Sequence, residues 1–373
     1  MFLTDYLQPV SVKKDVSPVD DSVLRLHDIR FGYGKKKNQL KTISLDVKKG
    51  EFFCLLGPSG CGKTTLLKIV AGLLNPDSGK IEFNTACQKP KTGMVFQDLA
   101  LFPHMTALQN IEYGLKGIKK RAKRQKALHY MDRVGLQDYA NAYPHTLSGG
   151  QKQRLALARA LAPEPDLILL DEPFASQDMY LREKLRDDVL HIIKETGVAA
   201  LMVTHDPDEA MFLSDRMAVM KDGEIIQSGT PVSLYMNPVN DYVAGFFGSV
   251  NHCFGKVDNN MVHTCLGSVP ADGMQNGKSV KVVFRPESLI LDDHIPDPAC
   301  PEKEKEHAHG KINEIKILRH STLVHLNLCD PEGKQQGYHV HARIPGKFVA
   351  NGNGLQDIRL DTSKVFIFED TLL

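Results

Sequence analysis

Short apolar runs alternate with segments of helical periodicity between residues 23 and 247 of this chain. The runs are too short for helices and end at glycine or a polar residue, which is typical of buried strands. They are Phe52–Leu56, Gly93–Phe96, Leu167–Leu170 and Val198–Val203. Helical periodicity lies between them, as in Lys63–Leu73, Arg121–Val134 and Gln151–Leu161. Strands that alternate with helices predict an α/β fold, with a parallel sheet covered on both faces.

The pattern changes near Val250, where helical periodicity stops and short alternating runs begin. These runs are Lys281–Phe284, Lys311–Ile317, Thr322–Leu328, Tyr338–Arg343 and Val365–Phe368. Turn residues separate them, which predicts a small antiparallel barrel or sandwich. We therefore predict a poorly ordered lead-in over residues 1–21, an α/β domain over 22–250 and a β-rich domain over 251–373. An exposed, charged loop is expected at 301–307.

The chain has 373 residues, of which 42% are apolar and 24% charged, and its formal net charge is +1. This composition is typical of a globular protein, and the balanced charge argues against bulk nucleic-acid binding. The seven cysteines are scattered without a C-x-x-C pair, which favours reduced thiols in a cytosolic compartment. No apolar run approaches the length of about 18 residues that spans a bilayer, and acids and prolines interrupt the N-terminal segment. We therefore expect neither a membrane span nor export, so any transport function requires other subunits to form the channel.

The segment Gly57–Thr64 matches the pattern G-x-x-x-x-G-K-[ST] directly after an apolar run. Such a loop wraps a phosphate chain with its backbone N–H groups at the start of a helix. We expect Lys63 to reach the outer phosphates of a bound nucleotide, the Thr64 hydroxyl to ligate Mg2+ and Thr65 to bond a phosphate oxygen. The predicted nucleotide-binding residues of this loop are Gly57, Ser59, Gly60, Cys61, Gly62, Lys63, Thr64 and Thr65. A helix N-terminus can lower a thiol pKa, but the favoured interpretation of Cys61 is a small residue tolerated in the loop.

Two acids follow the apolar run Leu167–Leu170. We predict that Asp171 holds Mg2+, directly or through water, and that Glu172 polarises the attacking water as general base. A phosphate loop and such a strand also fit a kinase or a GTPase, so these residues alone leave the class open.

The stretch Leu147–Gln151 reads LSGGQ and lies between the phosphate loop and the two acids. Here the sequence resembles the ABC ATPase family, whose signature is LSGGQ. The resemblance implies an α/β P-loop NTPase with a RecA-like core and a helical subdomain at about residues 98–160. It also implies a homodimer, in which the signature of one subunit closes over the ATP held by the other. The signature residues that would contact ATP are Ser148, Gly149, Gly150 and Gln151.

Other positions of the family pattern are filled. Gln97 is similar to the glutamine that senses Mg2+ and connects to the membrane subunit, and His205 to the switch histidine that contacts the γ-phosphate. Tyr33 resembles the aromatic residue that stacks on adenine, with a core aromatic as the alternative. Asp178 is kept, but Gln177 replaces an apolar residue of the family pattern, which puts the communication between the two ATP sites in doubt.

Three further segments resemble bacterial importer ATPases, namely Phe96–Thr106, Asp222–Pro231 and Val283–Leu289. The last is similar to the hallmark of their OB-like, all-β TOBE domain. This resemblance implies two integral membrane permease subunits and a solute-binding protein as partners, no nucleic acid, and a peripheral location on the cytoplasmic face of the membrane. Ferric iron is the expected solute, with polyamine, sulfate or thiamine as alternatives. A soluble ABC ATPase without a transport function is a remote alternative.

The β-rich part also carries the histidine pairs His307/His309 and His339/His341, which share a strand face if the pattern is extended. Because the solute of an importer passes through other subunits, we do not expect these histidines to bind a metal.

Overall fold

A computed structural model of the chain describes residues 21–34, 36–84, 90–175, 179–293, 308–329, 335–349 and 355–370. By their contacts, the residues form two compact units. The first consists of Met1–Phe53 and Thr64–Met202, and the second of Cys54–Lys63 and Val203–Leu373. The charged segment at 301–307 lies outside the described residues, as does the lead-in except Asp21. The domain boundaries at 22 and 250 stay predictions.

Both strands and helices form the described chain between Ser22 and Thr204. In chain order they are β1 (Ser22–Tyr33), β2 (Lys36–Lys48), β3 (Phe52–Leu56), α1 (Lys63–Val70), β4 (Ser78–Phe83), β5 (Thr92–Val95), α2 (Ala107–Gly114), α3 (Lys120–Arg133), α4 (Gly149–Leu161), β6 (Leu167–Asp171), α5 (Met179–Thr196) and β7 (Ala199–Thr204). The strands and helices predicted for this part are confirmed, with ends displaced by at most three residues. Every residue of β3, β6 and β7 is buried, as expected for strands covered on both faces.

The expectation of a parallel sheet is confirmed for β5 and β6, which pair in parallel with Thr92 opposite Leu167. It is wrong for β1, which is antiparallel to both β2 and β4. Only two residues separate Tyr33 from Lys36, and a connection that short can join antiparallel strands only. The fold of this region is therefore a mixed sheet with helices.

The chain between residues 205 and 250 continues with α6 (Pro207–Leu213), β8 (Arg216–Lys221), β9 (Glu224–Gly229), α7 (Pro231–Met236) and α8 (Asp241–Phe246). Strands β8 and β9 form an antiparallel hairpin. Its turn residues Asp222 and Gly223 have φ values of 47° and 81°, the left-handed conformation that a tight hairpin requires at both positions.

The C-terminal part is all β. Its strands are β10 (Asn251–Asp258), β11 (Met261–Thr264), β12 (Gly267–Pro270), β13 (Ser279–Phe284), β14 (Leu289–Asp293), β15 (Ala308–Ile317), β16 (Ser321–Cys329), β17 (Gln335–Pro345), β18 (Leu355–Leu360) and β19 (Val365–Glu369). They form two five-stranded antiparallel sheets, ordered β12-β11-β10-β13-β19 and β14-β18-β15-β16-β17. Residues of both sheets, among them Phe284 and Leu326, share one apolar core. The prediction of a small antiparallel β domain is confirmed.

Candidate nucleotide site

The loop before α1 curls around its own lysine. The Lys63 ammonium donates hydrogen bonds to the carbonyl oxygens of Gly57, at 2.8 Å, and Pro58, at 2.9 Å, and only 4% of the residue is exposed. Gly62 has a φ of 111°, a backbone conformation that favours glycine over residues with a side chain. A Cβ atom at Gly57 would lie 2.5 Å from the carbonyl oxygen of Met220, so this position has no room for a side chain. The loop therefore holds the buried Lys63 ammonium through two of its own backbone carbonyl groups.

Cys61 lies inside the same loop and is buried. Burial raises the pKa of its thiol and outweighs the nearby Lys63 ammonium, which acts to lower it. The thiol therefore stays protonated at neutral pH, which favours the interpretation of Cys61 as a small residue that fits the loop. Its carbonyl oxygen accepts a hydrogen bond of 3.1 Å from the Gly223 N–H, which braces the loop against the β8–β9 turn.

The first turn of α1 meets the end of β6. The Thr64 hydroxyl donates to Asp171 Oδ1 at 2.9 Å, although the two residues are 107 positions apart, and Asp171 is buried. The Tyr33 hydroxyl lies 3.5 Å from Thr65 Oγ1, while the Tyr33 ring is half exposed. The structure thus brings together two pairs of predicted site residues, Thr64 with Asp171 and Tyr33 with Thr65.

Glu172 follows β6 in an unusual backbone conformation. Its φ is 43°, which is rare for any residue other than glycine and costs energy for a side chain of this size. The turn is closed by a hydrogen bond of 3.3 Å from the Ala175 N–H to the Glu172 carbonyl, and Phe174 is fully buried beneath it. The Glu172 side chain at this anchored turn is half-buried.

The signature segment forms the start of α4. Ser148 is the N-cap: its hydroxyl accepts from the Gln151 N–H at 3.3 Å, and Gln151 Oε1 accepts from the Ser148 N–H at 2.8 Å. This reciprocal capping box gives Gln151 a local structural role that the sequence argument did not assign to it. A Cβ atom at Gly150 would lie 3.0 Å from Leu185, so this glycine also serves the packing of α4 against α5.

Gln97 is exposed just beyond β5, and the loop after it is held by α4. Leu99 and Ala100 have φ values of 62° and 42°, and their carbonyl oxygens accept from the Arg159 guanidinium at 2.8 and 2.7 Å. The same guanidinium lies over the Phe102 ring, 5.5 Å from its centroid. Arg159 therefore links the far end of the signature helix to the loop that Gln97 begins. No sequence motif marks Arg159 for this role.

Asn110, a residue of α2, holds the rest of the loop that begins at Gln97. It is fully buried, and the two N–H groups of its side-chain amide are shared among the carbonyl oxygens of Phe102, Met105 and Thr106, at N···O distances of 3.0 to 3.2 Å. Its Oδ1 accepts from the Phe102 N–H at 2.9 Å. One side chain thus satisfies four backbone groups, and the loop conformation depends on it.

We expect Asn110→Ala to lower the free energy of unfolding by about 1–3 kcal/mol, because buried backbone groups lose their partner. Urea unfolding measures this change. The matched control is Asn141→Ala, an exposed asparagine that should have no effect. Equal stability of the two variants would contradict the role given to Asn110.

His205 is exposed directly after β7, in a turn fixed by its neighbours. The Thr204 hydroxyl donates to Glu209 Oε2 at 2.6 Å and accepts from the Asp206 N–H at 3.1 Å. Asp206 caps α6 by accepting from the N–H groups of Asp208 and Glu209. Glu209 is itself buried. Its role in fixing this turn through the Thr204 hydroxyl was not predicted, because no local sequence pattern marks it.

Two residues of the family pattern, Gln177 and Asp178, lie outside the described residues.

The fold and the phosphate loop together define a P-loop protein that binds nucleoside triphosphates. The sequence profile of the family described as "ABC transporter" matches residues 40–175. The sulfate/thiosulfate import ATP-binding protein CysA of Neisseria meningitidis is 38% identical over 349 residues, which cover 90% of this chain and 94% of that relative. The chain therefore belongs to the ABC transporter family, in the group of importer ATP-binding proteins, which are ATPases.

Other relatives carry different solute names. The Fe(3+) ions import ATP-binding protein FbpC of Fusobacterium nucleatum is 39% identical, over 68% of this chain and 72% of the relative. The spermidine/putrescine import ATP-binding protein PotA of Mesoplasma florum is 40% identical, over 73% of this chain and 81% of the relative. Among solved structures, cbiO1 of Clostridium perfringens, part of the ABC transporter complex cbiONQ, matches with a TM-score of 0.54 and 30% identity, over 58% of this chain and 92% of that chain. Of the helices in the described part of the chain, none combines the length and apolar character needed to cross a membrane.

Proposed function

We propose that this chain is the ATP-hydrolysing subunit of an importer and that it converts ATP-driven closure of a homodimer into solute uptake. The observation that carries the proposal is the capped N-terminus of α4, which we interpret as a second phosphate-binding element. Ser148 caps this helix, both Ser148 and Gly149 are exposed, and a helix N-terminus attracts anions. A chain that has both this element and the phosphate loop can bind ATP from two sides when two copies meet.

The residues around Thr64 fit a Mg2+ ion. Magnesium takes oxygen ligands at 2.0–2.1 Å in an octahedron, so neighbouring ligand oxygens lie about 2.9 Å apart. The Thr64 and Asp171 oxygens have this spacing, 2.9 Å. We assign Thr64 and Asp171 as the residues that hold Mg2+, with Gln97 as a further ligand, and the ion neutralises charge on the phosphates when bound.

The chain supplies the rest of the chemistry through three side chains. Lys63 places a positive charge at the outer phosphates, Glu172 accepts the proton of the attacking water, and His205 contacts the γ-phosphate. Tyr33 offers an exposed ring face to the adenine, next to Thr65. Asp178 is proposed as a further nucleotide-binding residue of the family pattern.

Ser148→Arg tests closure over the partner's ATP. A long cation at the cap should block the approach of the second copy, so we expect hydrolysis to be lost while ATP binding is retained. Hydrolysis is measured by phosphate release and binding by calorimetry. The matched control is Thr106→Arg, which removes an equivalent capping box, that of α2 with Gln109. Equal loss of ATP binding and hydrolysis in Ser148→Arg would argue against closure in trans.

The partners of the proposed importer are two integral membrane permease subunits and, indirectly, a solute-binding protein. The chain would sit peripherally on the cytoplasmic face and pass its motion through the segment Phe96–Thr106, whose shape Arg159 and Asn110 maintain. The β-rich part is proposed as a regulatory TOBE domain, which agrees with its two small antiparallel sheets.

Ferric iron is the proposed solute. Its support is the FbpC relative, at 39% identity, together with the sequence around Phe246, Phe247 and Gly248. Sulfate is the second candidate, because the match to CysA runs through the β-rich part and covers 94% of that relative. An importer of either solute would use ATP hydrolysis in the same way, so the proposed nucleotide site does not distinguish iron from sulfate.

Uptake of labelled iron(III) and labelled sulfate, in cells that have or lack this subunit, separates these candidates. Loss of iron uptake alone on deletion, with recovery by the intact chain and not by Glu172→Gln, is the expected result. Loss of sulfate uptake alone would move the assignment to sulfate. Unchanged uptake of every solute tested, with normal ATP hydrolysis by the purified chain, would contradict the importer function.

A further inference from the structure

Three histidines on two neighbouring strands form one cluster in the β-rich part of the chain. His325 lies on β16, and His339 and His341 lie two residues apart on β17. Their ligand nitrogens all lie within 4.8 Å of one another. His339 Nε2 is 3.4 Å from His325 Nδ1 and 3.2 Å from His341 Nε2. We call these three residues the histidine cluster.

We propose that the histidine cluster binds a divalent transition-metal cation of the zinc class. Zinc takes histidine nitrogens at 2.0–2.1 Å in a tetrahedron, so neighbouring ligand nitrogens lie about 3.3 Å apart. The spacings of 3.4 and 3.2 Å around His339 Nε2 match this edge.

The orientation of His339 is set by Asn327 on the adjacent strand. Asn327 Oδ1 accepts a hydrogen bond of 2.9 Å from His339 Nδ1. With the proton on Nδ1, the lone pair of Nε2 points into the histidine cluster. A hydrogen bond of this kind, to the nitrogen that faces away from the metal, is how proteins fix the tautomer and the ring direction of a histidine ligand.

His341 is fixed through its backbone. Asn251 on β10 donates from Nδ2 to the His341 carbonyl at 2.8 Å and accepts from the His341 N–H at 2.9 Å. Because these backbone groups are used on the side away from β16, His341 and its partner His325 form a non-hydrogen-bonded pair. Side chains approach most closely in such pairs, and the two ring centroids are 4.4 Å apart.

The surroundings favour a bound cation over a packed core. On β16 the residues that alternate with His325, such as Val324 and Leu326, are buried in the apolar core, while the histidines lie on the opposite face. His339 is exposed, so solvent can reach the cluster and a fourth ligand can be water. Imidazole nitrogens suit zinc, copper and nickel, whereas Mg2+ prefers oxygen. The cluster is therefore chemically distinct from the Mg2+ site proposed at Thr64.

The probe for this site is Zn2+ alone, titrated calorimetrically into the full-length, chelator-treated protein without nucleotide. We expect His339→Gln to weaken the strongest zinc site by at least tenfold, and Asn327→Ala to weaken it by about 10–100-fold through loss of orientation. The matched control is His320→Gln, an exposed histidine just before β16, which should bind zinc like the unmodified chain. Co2+ gives a second readout, because three nitrogen ligands and water produce the intense visible absorption of a four-coordinate ion.

Thermal unfolding of the zinc-free variants checks that each is folded, and the exposure of His339 predicts no loss there. Zinc affinity that is the same in the unmodified chain, His339→Gln and Asn327→Ala would overturn the proposal. So would a Co2+ spectrum that the His339→Gln change leaves unaltered. A selective loss of zinc binding in His339→Gln and Asn327→Ala, with His320→Gln unaffected, supports it whichever solute the importer carries.

Discussion

Glu172→Gln is expected to lower the rate of ATP hydrolysis by about 10²–10⁴-fold, the usual contribution of a positioned general base. Glutamine has the shape of glutamate but cannot accept the proton of the attacking water. ATP binding should remain, since the phosphate loop is unchanged. Without hydrolysis to open it, the closed dimer should accumulate, and gel filtration with ATP should show the doubled mass.

The matched control for this change is Glu164→Gln. Glu164 also has a left-handed backbone, with φ 55°, and its carboxylate pairs with Lys126 at 2.8 Å on an exposed surface. A general effect of removing a strained glutamate would appear in both variants. The base assignment fails if Glu172→Gln remains a monomer and hydrolyses ATP at the normal rate.

Lys63→Ala should weaken ATP binding by about 10- to 150-fold, which corresponds to the 1.5–3 kcal/mol of a charge-assisted hydrogen bond. The change removes the only cation that this loop itself contains, and it also leaves the Gly57 and Pro58 carbonyls without their donor. Two losses therefore act together: phosphate charge is no longer neutralised, and the shape of the loop is no longer held.

Calorimetric titration with ATP measures the dissociation constant of this variant. Lys68→Ala, which removes a partly buried lysine further along α1, is the matched control and should bind ATP normally. If Lys63→Ala binds ATP as tightly as the control, the loop does not hold the phosphates through its lysine.

The candidate site was predictable from sequence where its residues are contiguous. The phosphate loop and the signature are local patterns, because glycines, a helix start and a cap must follow one another along the chain. The supporting residues were not predictable in this way. Arg159 acts on carbonyl groups 59 and 60 positions away, which it reaches only after folding. Asn110 and Glu209 act on residues 4 to 8 positions away, but through irregular turns that no local motif marks.

The histidine cluster shows the same division. His339 and His341 are two residues apart and were recognisable as sharing a strand face, but no metal site was expected from them. The third residue of the histidine cluster is His325, which the β16–β17 pairing places directly opposite His341. A register shifted by one residue would place His325 on the sheet face opposite to that of His339 and His341.

The sequence by itself determined the alternation of buried strands and helices, the phosphate loop, the signature and the change to an all-β part, because each depends on residues close together in the chain. Tertiary structure decided the antiparallel pairing of β1, the contact between Thr64 and Asp171 and the meeting of three histidines on β16 and β17. The physical reason is that these contacts depend on strand direction, register and packing between distant segments, and a one-dimensional pattern does not contain those quantities.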